Sequence, residues 1–160
     1  MGKVLDEGEA LEELRRRRER GERAVFTNGC FDLLHVGHVR YLRQARELAD
    51  VLIVAVNTDD SVRELKGPER PVVPEDERAE VLAALEAVDY VVLFPDRTAE
   101  RLVGVLKPEL YVKGGDYTLD LRSLPEAGVV QRYGGEVRLM PVHPGRSSSA
   151  LLSRLKGSGS

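Results

Sequence analysis

The chain has 160 residues, of which 42% are apolar and 32% are charged, with a formal net charge of −3. This length fits one domain with a modest core. The acidic balance argues against a protein that binds polyanions through its overall field, so any phosphate site has to be local. A single cysteine excludes an internal disulfide, and the longest apolar runs are too short to cross a membrane. We therefore expect a cytoplasmic protein, with the many charges and few side-chain amides typical of thermophilic proteins.

We expect one domain over residues 1–156, with an N-terminal helix within residues 1–22 and a flexible GSGS tail at 157–160. The segment 9–20 is rich in Leu, Glu and Arg, which predicts an exposed helix. Its four arginines at 15–18 could form a basic arm for nucleic acid. The acidic residues around them favour instead a solvated helix face with paired charges, so we expect no nucleic-acid partner.

Short apolar runs and helical stripes alternate along the chain. The predicted strands lie at 24–27, 51–56, 90–94, 110–112 and 136–140. The predicted helices lie at 36–49, after the proline-containing segment 71–74, and at 98–106, 122–132 and 147–156. The helix after residue 74 is expected to present Val81, Leu82, Leu85 and Val88 on one stripe. This alternation predicts an α/β fold: a Rossmann-like, doubly wound sheet of five parallel strands with helices on both faces.

Ligands of such sheets bind at the carboxyl ends of the strands, near the point where the strand order reverses. The segments expected there are 27–38, 57–67, 113–117 and 141–148. Residues 57–61, NTDDS, are expected to form a turn and cap cluster. Residues in these four segments are therefore the first candidates for a functional site.

The first of these segments carries two histidines around a glycine, where a loop becomes a helix. His35 and His38 are three positions apart, so both imidazoles lie on one face of the first helical turn. The helix N-terminus attracts anions, and Gly37 lets a phosphate approach the backbone closely. Histidine can donate a hydrogen bond, or a charge, to oxygens that become more negative in a transition state. The motif therefore indicates phosphate binding and phosphoryl-type chemistry.

Two other interpretations of this motif stay open on sequence alone. The histidines could be ordinary loop and cap residues, because an isolated HxGH pattern is not specific. A zinc site is the third interpretation, with Cys30, His143 or carboxylates as further ligands. No metal-type spacing connects these residues, and we expect no protein-bound metal.

Two cations follow the second predicted strand. Lys66 lies beside Gly67 in a predicted loop, from which its amine could reach a β- or γ-phosphate; a solvated surface lysine is the alternative. Arg78 lies in the first turn of its predicted helix, where the dipole disfavours a cation unless an anion lies nearby. That anion is either an acidic ligand or a salt-bridge partner, Glu75 or Asp76.

The two remaining segments are rich in glycine and serine. KGGDY at 113–117 allows a tight turn whose backbone groups can read a nucleobase, or it is a plain glycine turn. In residues 144–152, Ser147 or Ser148 can cap a helix and also bind a phosphate. Cys30 is expected to be a small buried residue rather than a nucleophile.

Several motifs occur together in a recognisable order: TNGCFDLLHVGHVRYL, LIVAVNTDDS, LKGPERPV, ERAEVLAALEAVDYVV, VKGGDY and GGEV. This set resembles the HxGH nucleotidylyltransferases of the cytidylyltransferase-like family, over residues 11–155. Within that family it is most similar to D-glycero-β-D-manno-heptose 1-phosphate adenylyltransferases. The resemblance implies an enzyme that transfers AMP from ATP to this sugar phosphate. It also implies Mg²⁺ bound through the phosphates, a homodimer and no partner other than small-molecule substrates.

The resemblance also assigns roles to residues. His35 and His38 would bind the nucleotide phosphates and stabilise the transition state, and Lys66 would hold the triphosphate. The residues it places near the acceptor sugar phosphate or the nucleotide phosphates are Asp32, Asp59 and Arg78. The residues it assigns to the nucleotide are Thr27, Asn28, Gly29, Cys30, Phe31, Gly37, Lys113, Gly114, Gly115, Asp116, Ser147 and Ser148.

The chain departs from the family pattern near its C-terminus. Glycerol-phosphate cytidylyltransferases carry Arg-Thr-Glu-Gly before the serine motif, whereas this chain has Val-His-Pro-Gly at 142–145. The heptose enzymes usually have a cysteine after that glycine, and here the residue is Arg146. The alternative reactions are a CTP-dependent transfer to glycerol 3-phosphate or a related alcohol phosphate, and, in another class, a non-catalytic nucleotide sensor.

Overall fold

The structure is a computed structural model that describes residues 1–114, 123–140 and 155. Within them the strands are β1 (Lys3–Leu5), β2 (Ala24–Gly29), β3 (Val51–Asn57), β4 (Tyr90–Phe94), β5 (Leu110–Gly114) and β6 (Glu136–Met140). The helices are α1 (Glu7–Glu19), α2 (Val36–Arg46), α3 (Asp59–Lys66), α4 (Glu75–Ala83), α5 (Glu100–Leu106) and α6 (Pro125–Arg132).

All strand pairs are parallel, and the sheet order is β1-β4-β3-β2-β5-β6. The chain starts the central part of the sheet at β2, moves outward to β3 and β4, and then returns to the other side of β2 with β5. The strand order therefore reverses between β2 and β5, and a crevice at their carboxyl ends is the expected ligand position.

The central strand β3 is buried over its whole length, so its alternate side chains pack against two different cores. Ile53 and Ala55 belong to a core that contains Leu14 of α1 and Leu102 of α5. Leu52, Val54 and Val56 face a second core that contains residues of α2 and α4, Leu42 and Leu82. The predicted doubly wound α/β fold with helices on both faces is therefore confirmed.

The structure corrects the predicted elements at the N-terminus and after β3. The helix predicted within residues 1–22 is preceded by an edge strand, Lys3–Leu5, paired with β4, so the described residues form six strands where five were predicted. A run of three residues is too short to show strand periodicity. The cap predicted within 57–61 is confirmed, because the Thr58 side chain accepts a hydrogen bond from the Ser61 N–H. The helix that it caps, α3, was not predicted. In α4, Val81 is exposed and does not share the buried face of Leu82.

Other boundaries differ by a few residues. Strand β2 runs to Gly29 rather than residue 27, and α2 ends at Arg46 rather than residue 49. The predicted final helix at 147–156 lies outside the described residues except for Leu155, which is helical. No helix in the described part of the chain is long and apolar enough to cross a membrane.

The arginine run 15–18 forms ion pairs on the surface of α1, as the charge pattern indicates. Arg15 contacts Glu12 and Glu19, and Arg17 contacts Glu22. Arg18 reaches across to Glu109, at a distance of 2.8 Å. The prediction of a solvated, charge-paired face is confirmed.

Candidate active site

The two histidines of the HxGH motif cap their own helix through their Nδ1 atoms. His35 is the N-cap of α2, and its Nδ1 accepts a hydrogen bond from the Gly37 N–H at 3.0 Å. The His38 Nδ1 accepts from the His35 N–H at 3.3 Å, and the two ring centroids lie 4.1 Å apart. Since each Nδ1 is an acceptor, a neutral ring must carry its proton on Nε2. The fold therefore fixes one tautomer for both rings, with an Nε2–H donor at the helix N-terminus.

Charge and burial keep His38 neutral at physiological pH. Burial is the largest cause that lowers the pKa of His38, and the nearby His35 and Lys66 add to it, so that the pKa falls to about 4. His38 can therefore offer a hydrogen-bond donor near neutral pH, whereas the charged form considered from sequence is disfavoured. The contribution of Lys66 to this shift places its ammonium in the electrostatic surroundings of His38. Lys66 is exposed and is the last residue of α3, not a loop residue as predicted.

The loop before α2 has an unusual backbone. Phe31 takes a left-handed conformation with φ of 49°, which is strained for a bulky residue and concentrates at functional sites. Its buried ring packs beside His38, with centroids 5.6 Å apart. A Cβ on Gly29 would lie 3.1 Å from the Phe31 ring, so the absence of a side chain at Gly29 lets this ring reach its place.

The side chain of Asp32 has no exposed surface, and its hydrogen bonds clamp residues 70–73 beside this loop. Its carboxylate accepts hydrogen bonds from the Val72 N–H at 2.9 Å, the Val73 N–H at 2.9 Å and Arg70 Nε at 2.7 Å. Burial alone would raise the pKa of Asp32, but the two backbone bonds and Arg70 outweigh it and keep the pKa below its ordinary value. Asp32 thus holds residues 70–73 beside the loop that leads to His35.

Arg78 ties three segments together at the carboxyl edge of the sheet. Its side chain has no exposed surface and pairs with Asp59 at 2.7 Å. The guanidinium also donates to the backbone carbonyls of Cys30, Asn57 and Val73, at 2.6, 2.8 and 2.8 Å. The anion next to Arg78 is therefore Asp59, so the alternative of a salt bridge to Glu75 or Asp76 is wrong. The sequence around the start of α4 cannot predict the pairing of Arg78 with Asp59, because Asp59 lies 19 positions away in sequence.

A third polar cluster lies at the crevice between β2 and β5. Tyr111 donates to Asn28 Oδ1 at 2.5 Å, and Lys113 Nζ lies 3.5 Å from the Asn28 carbonyl oxygen. Burial lowers the pKa of Lys113, and the buried carboxylate of Glu126 opposes that shift. Thr27 shares a hydrogen bond of 2.7 Å with the Tyr41 hydroxyl at the same strand end.

The structure thus brings together most of the residues predicted for the site that it describes. Those placed at the carboxyl ends of β2, β3 and β5 or at the start of α2 are Thr27, Asn28, Gly29, Cys30, Phe31, Asp32, His35, Gly37, His38, Asp59, Lys113 and Gly114. Gly115, Asp116, Ser147 and Ser148 lie outside the described residues. Cys30 is a free, partly buried thiol. In the described part of the chain, no three His, Cys, Asp or Glu side chains group in a way that could hold a metal ion.

Sequence reasoning missed Arg70, Tyr111 and Glu126. Arg70 stands in the quoted run LKGPERPV, four residues after Lys66, and this proximity to a predicted site residue could have drawn attention to it. Tyr111 and Glu126 read as ordinary strand and helix residues, since their contact with the site comes only from the sheet order.

Comparison with known proteins places this fold and site in one family. The family model of cytidylyltransferase-like proteins matches residues 26–150, a range that includes the strand ends, the HxGH turn and the Asp32 clamp. The chain belongs to the cytidylyltransferase-like family. The resemblance inferred from the motifs is therefore confirmed, and it agrees with the predicted class of enzyme, the nucleotidyltransferases.

Individual relatives narrow this class. The chain is 50% identical over 138 residues to Bifunctional protein HldE of Syntrophotalea carbinolica, across 86% of this chain and 28% of that protein. It is 53% identical over 138 residues to Bifunctional protein HldE of Pseudomonas syringae pv. syringae, across 86% of this chain and 29% of that protein. The chain thus spans less than a third of the length of these relatives.

A solved structure shows the same fold. The lipopolysaccharide core biosynthesis protein from Thermoplasma volcanium is 27% identical, with a TM-score of 0.63 over 77% of this chain and 98% of that one. The two chains therefore share this α/β fold.

Proposed function

We propose that the chain transfers AMP from ATP to D-glycero-β-D-manno-heptose 1-phosphate, giving ADP-heptose and pyrophosphate. The observation that carries this proposal is the pair of Nε2–H donors that the capping bonds of His35 and His38 create at the start of α2. The similarity to the HldE relatives supports the choice of substrates. One nucleotidyltransferase domain over residues 1–156 would carry this activity.

The reaction needs no covalent enzyme intermediate. An oxygen of the sugar phosphate attacks the α-phosphorus of ATP in line, a new P–O bond forms, and the bond from the α-phosphorus to the bridging oxygen breaks, so pyrophosphate leaves. The nucleophile is already an anion, so no general base is required. Catalysis then consists of positioning and of stabilising charge on the transferring group.

The residues of the site divide this work. The Nε2–H groups of His35 and His38, the backbone N–H groups at the start of α2 and the ammonium of Lys66 would bind the phosphates of ATP. Lys113 and Gly114, at the end of β5, would line the nucleoside pocket together with Asp116. Ser147 and Ser148 would contact phosphate, and Asp59 and Arg78 would shape the acceptor side of the site.

Magnesium would accompany ATP rather than occupy a protein cage. The carboxylates of Asp32 and Asp59 are both engaged by guanidinium groups, and the described residues offer no group of three potential ligands. Phosphate oxygens and water, the ligands this ion prefers, would therefore hold it. When bound, it would neutralise charge on the triphosphate. We further propose that the protein forms a homodimer, which sedimentation equilibrium tests. Its other partners would be its small-molecule substrates.

The experiment is pyrophosphate release with Mg²⁺, pairing ATP or CTP with heptose 1-phosphate or glycerol 3-phosphate. The proposal predicts release with ATP and heptose 1-phosphate only. Release only with CTP would overturn the choice of ATP as the nucleotide but leave the proposed nucleotidyl transfer in place. Tight nucleotide binding with no release in any pair would favour a nucleotide sensor instead.

A further inference from the structure

Arg70 combines a strong ion pair with a donor that has no partner. Its Nε donates to Asp32 Oδ2 at 2.7 Å, and its side chain is only 12% exposed. Its Nη2 is buried and, among the described residues, makes no hydrogen bond. A buried guanidinium nitrogen in this state is costly, because it has lost water without gaining an acceptor.

The other buried arginine of the site shows the contrast. Arg78 has acceptors for its Nε, Nη1 and Nη2 atoms, three of them backbone carbonyls and one the Asp59 carboxylate. All three guanidinium nitrogens of Arg78 therefore have hydrogen-bond acceptors within the protein. Within the described part of the chain, Arg70 is bonded through its Nε atom, so Asp32 holds the guanidinium and leaves the Nη2 atom for another acceptor.

The position of Arg70 links this edge to the HxGH site. Asp32, which holds it, lies three residues before His35 in the loop that starts α2. Lys66, four residues before Arg70 in the chain, lies close enough to lower the pKa of His38. Arg70 lies in the segment that follows Lys66, and through Asp32 it is anchored to the same loop as the histidines.

We propose that the Nη2 edge of Arg70 binds the phosphomonoester of the acceptor, an inference that rests on the proposed function. A guanidinium donates parallel hydrogen bonds to phosphate oxygens and fixes their direction, which an ammonium cannot do. In-line attack requires the acceptor phosphate to be held in one orientation, whereas the triphosphate already has the histidines, Lys66 and the helix N-terminus. Arg70 would thus determine binding of the acceptor rather than of ATP.

The test is Arg70→Lys, which keeps a cation beside Asp32 and removes the second nitrogen. The variant is expected to raise KM for the sugar phosphate roughly 10- to 100-fold, the scale for one charge-assisted hydrogen bond, with KM for ATP within about 2-fold of wild type. Arg63→Lys is the matched control, since Arg63 pairs with Asp60 on the exposed side of α3, and it should leave both constants unchanged. An unchanged KM for the sugar phosphate, or an equal rise in KM for ATP, would overturn the proposal.

A binding measurement separates this inference from the proposed reaction. Inorganic phosphate is titrated, by ³¹P NMR line broadening, into wild type and Arg70→Lys saturated with Mg²⁺ and a non-hydrolysable ATP analogue. We expect affinity for phosphate to fall at least about 10-fold in the variant, even if the true acceptor is another phosphomonoester. Equal affinity in the two proteins contradicts the role of Arg70 whether or not wild type turns over heptose 1-phosphate.

Discussion

The carboxylate of Asp32 and the guanidinium of Arg70 lie 2.7 Å apart and join the loop of the HxGH motif to the segment after α3. Asp32 has no exposed side-chain surface, and it also accepts the N–H groups of Val72 and Val73. A single buried carboxylate thus fixes the position of a whole segment beside the histidines. The carboxylate of Asp32 is therefore engaged in hydrogen bonds within the protein in the absence of substrate.

Replacing Asp32 should therefore lower both the stability of the protein and its activity. Asp32→Asn leaves Arg70 without a counter-charge, and we expect the free energy of unfolding to fall by about 3 kcal/mol, as for other broken buried ion pairs. Urea denaturation followed by circular dichroism measures this. Asp60→Asn, at an exposed ion pair, is the control and should change stability by less than about 0.5 kcal/mol. Equal stabilities for the two variants would show that Asp32 does not clamp the segment.

The Asp32 clamp also has a predictable dependence on pH. The pKa of Asp32 is lowered in the folded protein, so the unfolded chain takes up its proton first as pH falls. The stabilisation is thus present above about pH 4, the ordinary pKa, and is lost as pH falls through the lower folded value.

Arg78 should matter for stability more than any exposed arginine. Arg78→Lys offers a point charge that cannot reach Asp59 and three carbonyls at once, so we expect a loss of about 3 kcal/mol in the free energy of unfolding. Arg16→Lys is the control because Arg16 is exposed and its ion pairs among the described residues are with Glu12 and Glu13 of its own helix. Thermal denaturation compares the two. A melting temperature for Arg78→Lys equal to that of the control would contradict this role.

The sequence predicted most of the fold because its strands and helices carry clear periodic signals. Continuous apolar residues at 51–56 indicate a strand buried on both faces, and the histidines mark the start of α2. It did not predict β1, which is three residues long, or the partners of Arg78 and Asp32. Those partners are Asp59, the first residue of α3, and Arg70, in the segment after α3, which lie 19 and 38 positions away in sequence and which only the fold brings close.

The two functions of His35 can be separated by substitution. An asparagine amide can replace Nδ1 as a helix cap but offers nothing at the Nε2 position. We expect His35→Asn to keep the wild-type stability within about 0.5 kcal/mol and His35→Ala to lose about 1 kcal/mol. Both variants should lose roughly 10²- to 10³-fold in kcat, the scale for one donor to a developing charge. Steady-state kinetics and denaturation of both variants measure this, and near-normal turnover of His35→Asn would exclude the Nε2–H role.

His38 should remain neutral across the range in which free histidine titrates. Its pKa is lowered to about 4, so its ¹H NMR titration midpoint should lie far below the ordinary value near 6.5. The unfolded chain binds this proton at higher pH, so the contribution of His38 to stability is full above about pH 6.5 and declines as pH falls toward 4. Long-range ¹H–¹⁵N spectra at pH 7 should show the Nε2–H tautomer. A midpoint near 6.5 would contradict the buried, capping arrangement.

The central claim is that an oxygen of the sugar phosphate attacks the α-phosphorus of ATP at the histidine pair. Heptose 1-phosphate labelled with ¹⁸O on its non-bridging phosphate oxygens, incubated with ATP, Mg²⁺ and the protein, tests it directly. Mass spectrometry and ³¹P NMR should find all the label in ADP-heptose, part of it in the bridge between the two phosphates, and none in pyrophosphate. Label in pyrophosphate, or no ADP-heptose at all, would contradict the account.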